Sequence, residues 1–115
     1  MKKLLIVAGH GEGDPGAISK WGKEADLTRE LANMLQLSFS NADLKVSMYD
    51  QSKDAYQQSK RGNRPHYEDY DAVLEIHFNA KFNKDENGDG RFTGTGGYVH
   101  TGATQSQQLG EKIVE

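Results

Sequence analysis

The feature that most constrains this sequence is a short apolar run that ends in a glycine-rich loop around a histidine. The run Leu4–Ala8 is typical of a strand buried on both faces of a parallel sheet. His10 follows among four glycines, at positions 9, 11, 13 and 16. Glycine permits tight turns and close approaches, and ligands of open α/β sheets bind where strands end. We therefore predict that His10 belongs to a functional site, although a histidine that is merely hydrogen-bonded in a turn is the alternative.

The rest of the 115-residue chain alternates between predicted strands and helices. After the first strand these are a helix at Lys23–Leu37, a strand at Lys45–Tyr49, a helix at Ser52–Arg61, strands at Ala72–His77 and Gly94–His100, and a helix at Ala103–Glu115. Such alternation is typical of right-handed βαβ units. We predict an α/β fold: a single domain, residues 1–115, with a mostly parallel sheet flanked by helices.

Composition limits the classes of protein to which this chain can belong. The net charge is −3 and the basic residues form no large cluster, so we expect no nucleic-acid partner. The absence of cysteine excludes disulfides and thiolate metal sites, and leaves His, Asp and Glu as metal ligands. No apolar stretch is long enough to span a bilayer, and the first run is too short for a signal peptide. We therefore expect no membrane insertion.

Two further residues fall where a site near His10 needs them. Glu24 shares the apolar stripe of the first predicted helix with Leu27 and Leu31, and a carboxylate buried there is costly without a partner. Its position in the first helical turn, where the helix dipole favours an anion, is an alternative explanation. His77 ends a predicted strand, and parallel strands end at one edge of a sheet. Two imidazoles and one carboxylate are typical ligands of catalytic zinc, with a fourth position open for water.

Segments spread over nearly the whole chain carry a resemblance to a known family. They are Gly9–Gly11, Asp14–Ala17, Lys23–Leu27, Arg61–Asn63, Ile76–Ala80 and Ser106–Ile113. In this order they closely resemble the type 3 family of zinc-dependent N-acetylmuramoyl-L-alanine amidases, which are peptidoglycan hydrolases of bacteria and their phages. The resemblance implies that His10, Glu24 and His77 are the zinc ligands and that Asn79 lies beside the site.

The resemblance also implies a fold, a reaction and a setting. The fold is a twisted, mostly parallel sheet with helices on both sides, in agreement with the order of the predicted elements. The reaction is hydrolysis of the amide between the lactyl group of N-acetylmuramic acid and the first L-alanine of the stem peptide. The partner is peptidoglycan of the bacterial cell wall, and without a signal peptide we expect either release of the phage-lysin type or production in the cytoplasm.

The chain departs from the family pattern at two points. Glu75 stands where the family more often has a small hydroxyl residue, and it either orients His77 or is an exposed carboxylate at the strand edge. The general acid and base of the family is a glutamate on a final strand, and no residue up to Glu115 matches it. We therefore expect an amidase domain that lacks this strand and its glutamate, binds zinc, and cleaves peptidoglycan weakly or not at all.

The last predicted helix offers no replacement for that glutamate. It contains Glu111 and Glu115, but its inner face is predicted to be apolar, formed by Leu109, Ile113 and Val114. We expect both carboxylates to point away from the site.

Two other signals have two interpretations each. Asp85, Asn87 and Asp89 copy the opening of an EF-hand calcium loop, but Gly96 stands where that loop needs a glutamate, so a polar turn is the alternative. Trp21 lies between two predicted ligands in the sequence. We prefer packing of its indole over the loop to stacking on a substrate.

Two rival functions stay open. The segment Leu5–Glu12 also resembles the opening of the histidine phosphatases, but Gly9 stands where that chemistry needs an arginine to bind phosphate. The other rival is a zinc-containing module that binds the cell wall without catalysis. His66 and His100 have no place in the amidase ligand set, and we expect them to be solvated or hydrogen-bonded.

Overall fold

The computed structural model describes residues 2–39, 43–78, 96–99 and 102–114 of the chain. Its elements are, in order, β1 (Lys2–Ala8), β2 (Ile18–Ser19), β3 (Gly22–Lys23), α1 (Glu24–Ser38), β4 (Leu44–Met48), α2 (Ala55–Lys60), a 3₁₀ turn (Tyr67–Asp69), β5 (Ala72–Ile76) and α3 (Thr104–Val114). This alternation of strands and helices confirms the predicted α/β class.

The main sheet has β1 in its centre, between β4 and β5, and both pairings are parallel. The register places Ala8 of β1 opposite Ile76 of β5. All three strands therefore end at the same edge of the sheet, as βαβ connections require. His10 and His77 follow β1 and β5 at this edge, so the pairing of these two strands brings the histidines together.

Helices cover both faces of the sheet. On one face Ile6 packs with Ala32 of α1, and on the other face Val7 packs with Ala55 of α2. Ile6 and Val7 are fully buried, and burial of such a side chain contributes about 1.5–3 kcal/mol relative to exposure. Because successive residues of β1 face two covered surfaces, the strand is an unbroken apolar run rather than an alternating one.

Local chemistry sets the limits of the helices. The bounds of α1 agree with the predicted helix to within one residue at each end. The second helix begins at Ala55, later than the predicted Ser52, because Asp54 caps it. The Asp54 Oδ1 atom accepts hydrogen bonds from the backbone N–H groups of Tyr56 and Gln57, at 2.9 and 3.3 Å.

Three features of the fold differ from the predictions. The strand expected at Gly94–His100 is wrong where the structure describes it, since residues 96–99 form no regular secondary structure. The last helix is confirmed as α3, but its expected inner face is wrong, because Leu109 and Ile113 are 46% and 48% exposed. The pattern indicates an apolar stripe on that helix, but not which surface covers it. The hairpin of β2 and β3 has strands of two residues, too short to leave a pattern in the sequence.

None of the helices in the described ranges combines the length and the apolar character needed to cross a membrane.

Candidate metal centre

The edge cluster, as we call His10, Glu24 and His77, lies where β1 and β5 end. The backbone N–H of Gly9 donates to the Ile76 carbonyl at 2.9 Å, which fixes the two strand ends against each other. The imidazole rings of His10 and His77 meet edge to face, with centroids 4.9 Å apart and an interplanar angle of 88°. Glu24 is the first residue of α1 and points its carboxylate between them.

The carboxylate of Glu24 is the centre of this cluster and is only 5% exposed. Its Oε2 atom lies 3.1 Å from Nε2 of His10 and 3.0 Å from Nδ1 of His77. Two backbone N–H groups also donate to the carboxylate, from Ala17 to Oε1 at 3.1 Å and from Phe78 to Oε2 at 3.0 Å. Burial alone raises the pKa of Glu24, but these hydrogen bonds and the charge of His10 outweigh it and lower the pKa below its ordinary value.

His10 has a left-handed backbone conformation, with a φ of 64°. A second carboxylate, that of Asp14, contacts the ring nitrogen that does not face Glu24. Its Nδ1 atom lies 2.9 Å from Oδ2 of Asp14, whose Oδ1 accepts a hydrogen bond from the Gly16 N–H at 3.0 Å. Burial lowers the pKa of His10, but the hydrogen bond to Asp14 and the charges of Glu24, Asp14 and Asp54 outweigh it, so the pKa is raised. Asp14 was not predicted as a partner of His10, although its position four residues after His10 was a usable signal.

His77 also has a carboxylate behind its ring. Its Nε2 atom lies 3.3 Å from Oε1 of Glu75, and both side chains are about half exposed. Glu75 belongs to β5 and His77 follows the strand two residues later, so the period of two in extended backbone places both side chains on the same side of the chain. Of the two interpretations of Glu75, the contact agrees with the one in which this residue orients His77.

Two glycines of the loop make room for the edge cluster. A Cβ atom added to Gly9 would lie 2.4 Å from the His77 ring, and one added to Gly16 would lie 2.6 Å from the His10 ring. Gly16 also has a φ of +69°, which disfavours any residue with a side chain. The glycine-rich loop therefore follows the shape of the two imidazoles.

The edge cluster has the donor set and spacing to hold a divalent metal ion. One nitrogen from each histidine and one oxygen from Glu24 all lie within 4.8 Å of one another. Ligands at about 2.0–2.1 Å from a tetrahedral zinc ion lie roughly 3.3 Å apart, close to the separations seen here. A second group within the same limit is His10 with Asp14 and Asp54, which offers one imidazole and two carboxylates instead of the two imidazoles and one carboxylate of the edge cluster.

Other residues singled out in the sequence lie apart from the cluster or outside the described residues. Trp21 is 72% exposed at the tip of the β2–β3 hairpin, so the expectation that it packs over the loop is wrong. The Lys20 ammonium lies 4.7 Å from the centre of its ring. His66 is exposed and lies 3.7 Å from a Glu68 carboxylate oxygen. Of the residues singled out in the sequence, six lie outside the described ranges: Asn79, Asp85, Asn87, Asp89, His100 and Glu115.

The fold and the edge cluster together define an α/β protein with a candidate metal centre at the carboxyl ends of its strands. The family model described as N-acetylmuramoyl-L-alanine amidase matches residues 4–115, so the chain belongs to this family. This match confirms the family resemblance inferred from the sequence motifs.

The comparison with curated proteins gives one relative. It is described as probable autolysin PH of Staphylococcus aureus (strain NCTC 8325 / PS 47), and this chain is 35% identical to it over 94 residues. The matched region covers 69% of this chain and 19% of the relative, so the chain corresponds to about a fifth of that protein's length. No solved structure matches this chain.

Proposed function

We propose that this chain is a zinc-dependent amidase domain that hydrolyses the bond between N-acetylmuramic acid and L-alanine in peptidoglycan. The observation that carries the proposal is the meeting of His10, Glu24 and His77 at one sheet edge in a chain of the amidase family. The setting that follows is the bacterial cell wall.

The residues present fit a zinc ion in the chemistry of their donors. Two imidazoles and one carboxylate are a ligand set of catalytic zinc sites, which leave a coordination position for water or substrate. Histidine ligands of metals commonly have a second partner on the other ring nitrogen, and here Asp14 stands behind His10 and Glu75 behind His77. Each carboxylate favours the ring orientation that turns the remaining nitrogen toward Glu24.

The chemistry of amide hydrolysis divides between the ion and the chain. A bound zinc ion would polarise the scissile carbonyl and lower the pKa of a bound water molecule to about 7. Of the three proposed donors only Glu24 is anionic, so a divalent ion and these donors together would keep a positive charge, which would favour a developing oxyanion. Asp14 and Glu75 are proposed to orient the imidazoles of His10 and His77. The role of general acid and base is assigned to none of the described residues.

The test is prolonged digestion of purified peptidoglycan with the zinc-loaded protein, with a count of new L-alanine amino termini. We expect new termini that stop forming after chelation and return after zinc is restored. Glu24→Gln keeps the shape of the side chain but removes its charge, and we expect it to lower the rate by at least about 100-fold. The matched control is Glu30→Gln, an exposed glutamate on the same helix, whose rate should not change.

Three outcomes would contradict the proposal. Binding of walls without new amino termini would support a non-catalytic wall-binding module. Hydrolysis that is unaffected by chelation would remove zinc from the proposal. A vanadate-sensitive phosphatase activity would support the rival function, although the arginine near His10, Arg29, donates to backbone carbonyls rather than to the space around the imidazole.

A further inference from the structure

Arg29 of α1 is half-buried, and its guanidinium is surrounded by backbone carbonyl groups. The hydrogen bonds run from Nε to Gln51 O (2.9 Å), from Nη1 to Gly9 O (3.1 Å), Ala25 O (3.0 Å) and Thr28 Oγ1 (3.3 Å), and from Nη2 to His10 O (2.9 Å) and Lys53 O (3.1 Å). Within the described part of the chain its partners are thus carbonyls and a hydroxyl rather than carboxylates. An arginine fork used in this way holds backbone geometry.

These hydrogen bonds join three segments that are distant in sequence. They are the loop after β1, the first turn of α1 and the loop that leads into α2. The first of these segments carries His10, and the second begins with Glu24. Arg29 therefore connects the backbone of one edge-cluster residue to the helix that carries another.

The position of the guanidinium bears directly on the conformation of His10. The peptide group before the His10 Cα carries the Gly9 carbonyl, and the peptide group after it carries the His10 carbonyl. Arg29 donates to both, so a single side chain restrains both backbone dihedrals of His10. That restraint is needed because a φ of 64° is unfavourable for a residue with a side chain.

The glycine-rich loop is shaped to admit this arginine. A Cβ atom added to Gly11 would lie 2.7 Å from Nη2 of Arg29 and 2.9 Å from the Lys53 carbonyl oxygen. A larger residue at position 11 would push the guanidinium away from the loop. The fit of Gly11 is an observation independent of the hydrogen bonds, and it points to the same role.

We propose that Arg29 is a positioning residue of the metal centre, which holds His10 in the left-handed conformation that turns its imidazole toward Glu24. Lysine at this position keeps the charge but cannot donate to both carbonyls with a fixed planar fork. The inference rests on the proposed function, because it requires a divalent ion at the edge cluster.

The test is a Co²⁺ titration of Arg29→Lys, followed by visible absorption and by competition with a chelator. We expect cobalt affinity to fall by about 10- to 100-fold, the range for disturbed partners of metal ligands. We also expect the cobalt bands to shift toward those of His10→Ala. Arg64→Lys is the matched control, since Arg64 is exposed and bonds to Glu68 at 3.3 Å, and its affinity and spectrum should match the wild type.

A purely structural role predicts different results. Urea unfolding of each metal-free variant separates a loss of stability from a loss of affinity. If folded Arg29→Lys binds cobalt with wild-type affinity and spectrum, the inference is wrong, whatever the stability of this variant.

In Arg29→Ala, guanidinium ion added at a non-denaturing concentration should restore part of the cobalt affinity. A wild-type protein that binds no divalent ion would contradict the proposed function itself, and normal binding by both variants would contradict only this inference.

Discussion

Gly16 offers a sharp test of how the loop sets the metal centre. An added Cβ would lie 2.6 Å from Cδ2 of His10 and 2.9 Å from Cβ of Glu24, at a φ of +69°. Gly13 is a matched control in the same loop. Its φ of +85° is equally unfavourable for alanine, yet no atom of the described residues lies within 4 Å of its added Cβ.

The two alanine variants should differ in metal binding and not in backbone strain. Each forces a left-handed alanine, which costs about 1–2 kcal/mol of folding stability. In Gly16→Ala the His10 ring must also move by about 0.8 Å, from 2.6 Å to the 3.4 Å of an ordinary contact. Metal–ligand distances tolerate only about 0.2 Å, so we expect zinc affinity to fall by about 100-fold in Gly16→Ala and by less than about threefold in Gly13→Ala.

Competition with a chromogenic zinc chelator measures the affinity of both variants. Urea unfolding of the metal-free proteins checks that their losses of stability are comparable. If Gly16→Ala binds zinc as tightly as Gly13→Ala, then the contact between residue 16 and the imidazole does not set the geometry of the site, and the steric argument is refuted.

Three further predictions concern pH, the partner of His10, and the hairpin. Because the pKa of His10 is raised above its ordinary value of 6.5, His10 stabilises the metal-free protein at pH below 6.5, and this contribution is lost as pH rises through the pKa of the folded state. Because the pKa of Glu24 is lowered below its ordinary value of 4.5, Glu24 stabilises the protein at pH above 4.5, and this contribution is lost as pH falls through the pKa of the folded state. The free energy of unfolding of the metal-free protein should therefore decline both above and below the range between pH 4.5 and 6.5. The stabilisation by added zinc should grow with pH as His10 loses its proton, and a zinc effect that is constant with pH would contradict this prediction. Asp14→Asn should weaken zinc binding by about 10-fold in chelator competition, and an unchanged affinity would remove Asp14 from the site. Trp21→Ala should raise KM for soluble muropeptides several-fold with kcat and thermal stability unchanged, because its indole is exposed on the hairpin whose second strand leads directly into Glu24; an unchanged KM would exclude substrate contact.

The sequence predicted the parts of the site that depend on strand and helix periodicity. His10 and His77 end apolar runs, and parallel pairing of those runs brings the two histidines to one edge. The apolar stripe of α1 predicted that Glu24 is buried, and the structure shows its carboxylate between the imidazoles. In both cases the local pattern and the final packing agree, so little information beyond the sequence was needed.

Other parts depend on contacts that leave no local pattern. An arginine on a helix is ordinarily an exposed charge, and the role of Arg29 depends on carbonyls from loops that are distant in sequence. The apolar residues of α3 indicate a face, but the surface opposite that face is set by tertiary packing, so exposure of Leu109 and Ile113 could not be predicted. The β2–β3 hairpin is closed by two hydrogen bonds between Ala17, which precedes β2, and Glu24, which follows β3: the Glu24 N–H donates to the Ala17 carbonyl, and the Ala17 N–H donates to the Glu24 carboxylate.

The register of β1 against β5 has a consequence for folding. Because Ala8 lies opposite Ile76, a slip of one residue would shift the strand ends by about 3.3 Å and turn the side chains of one strand to the opposite face. A chain with slipped pairing could not assemble the donors, whereas a correctly paired chain could. If the edge cluster binds zinc as proposed, zinc present during refolding would favour the correctly paired chain by mass action, so metal binding would select the native register of the sheet.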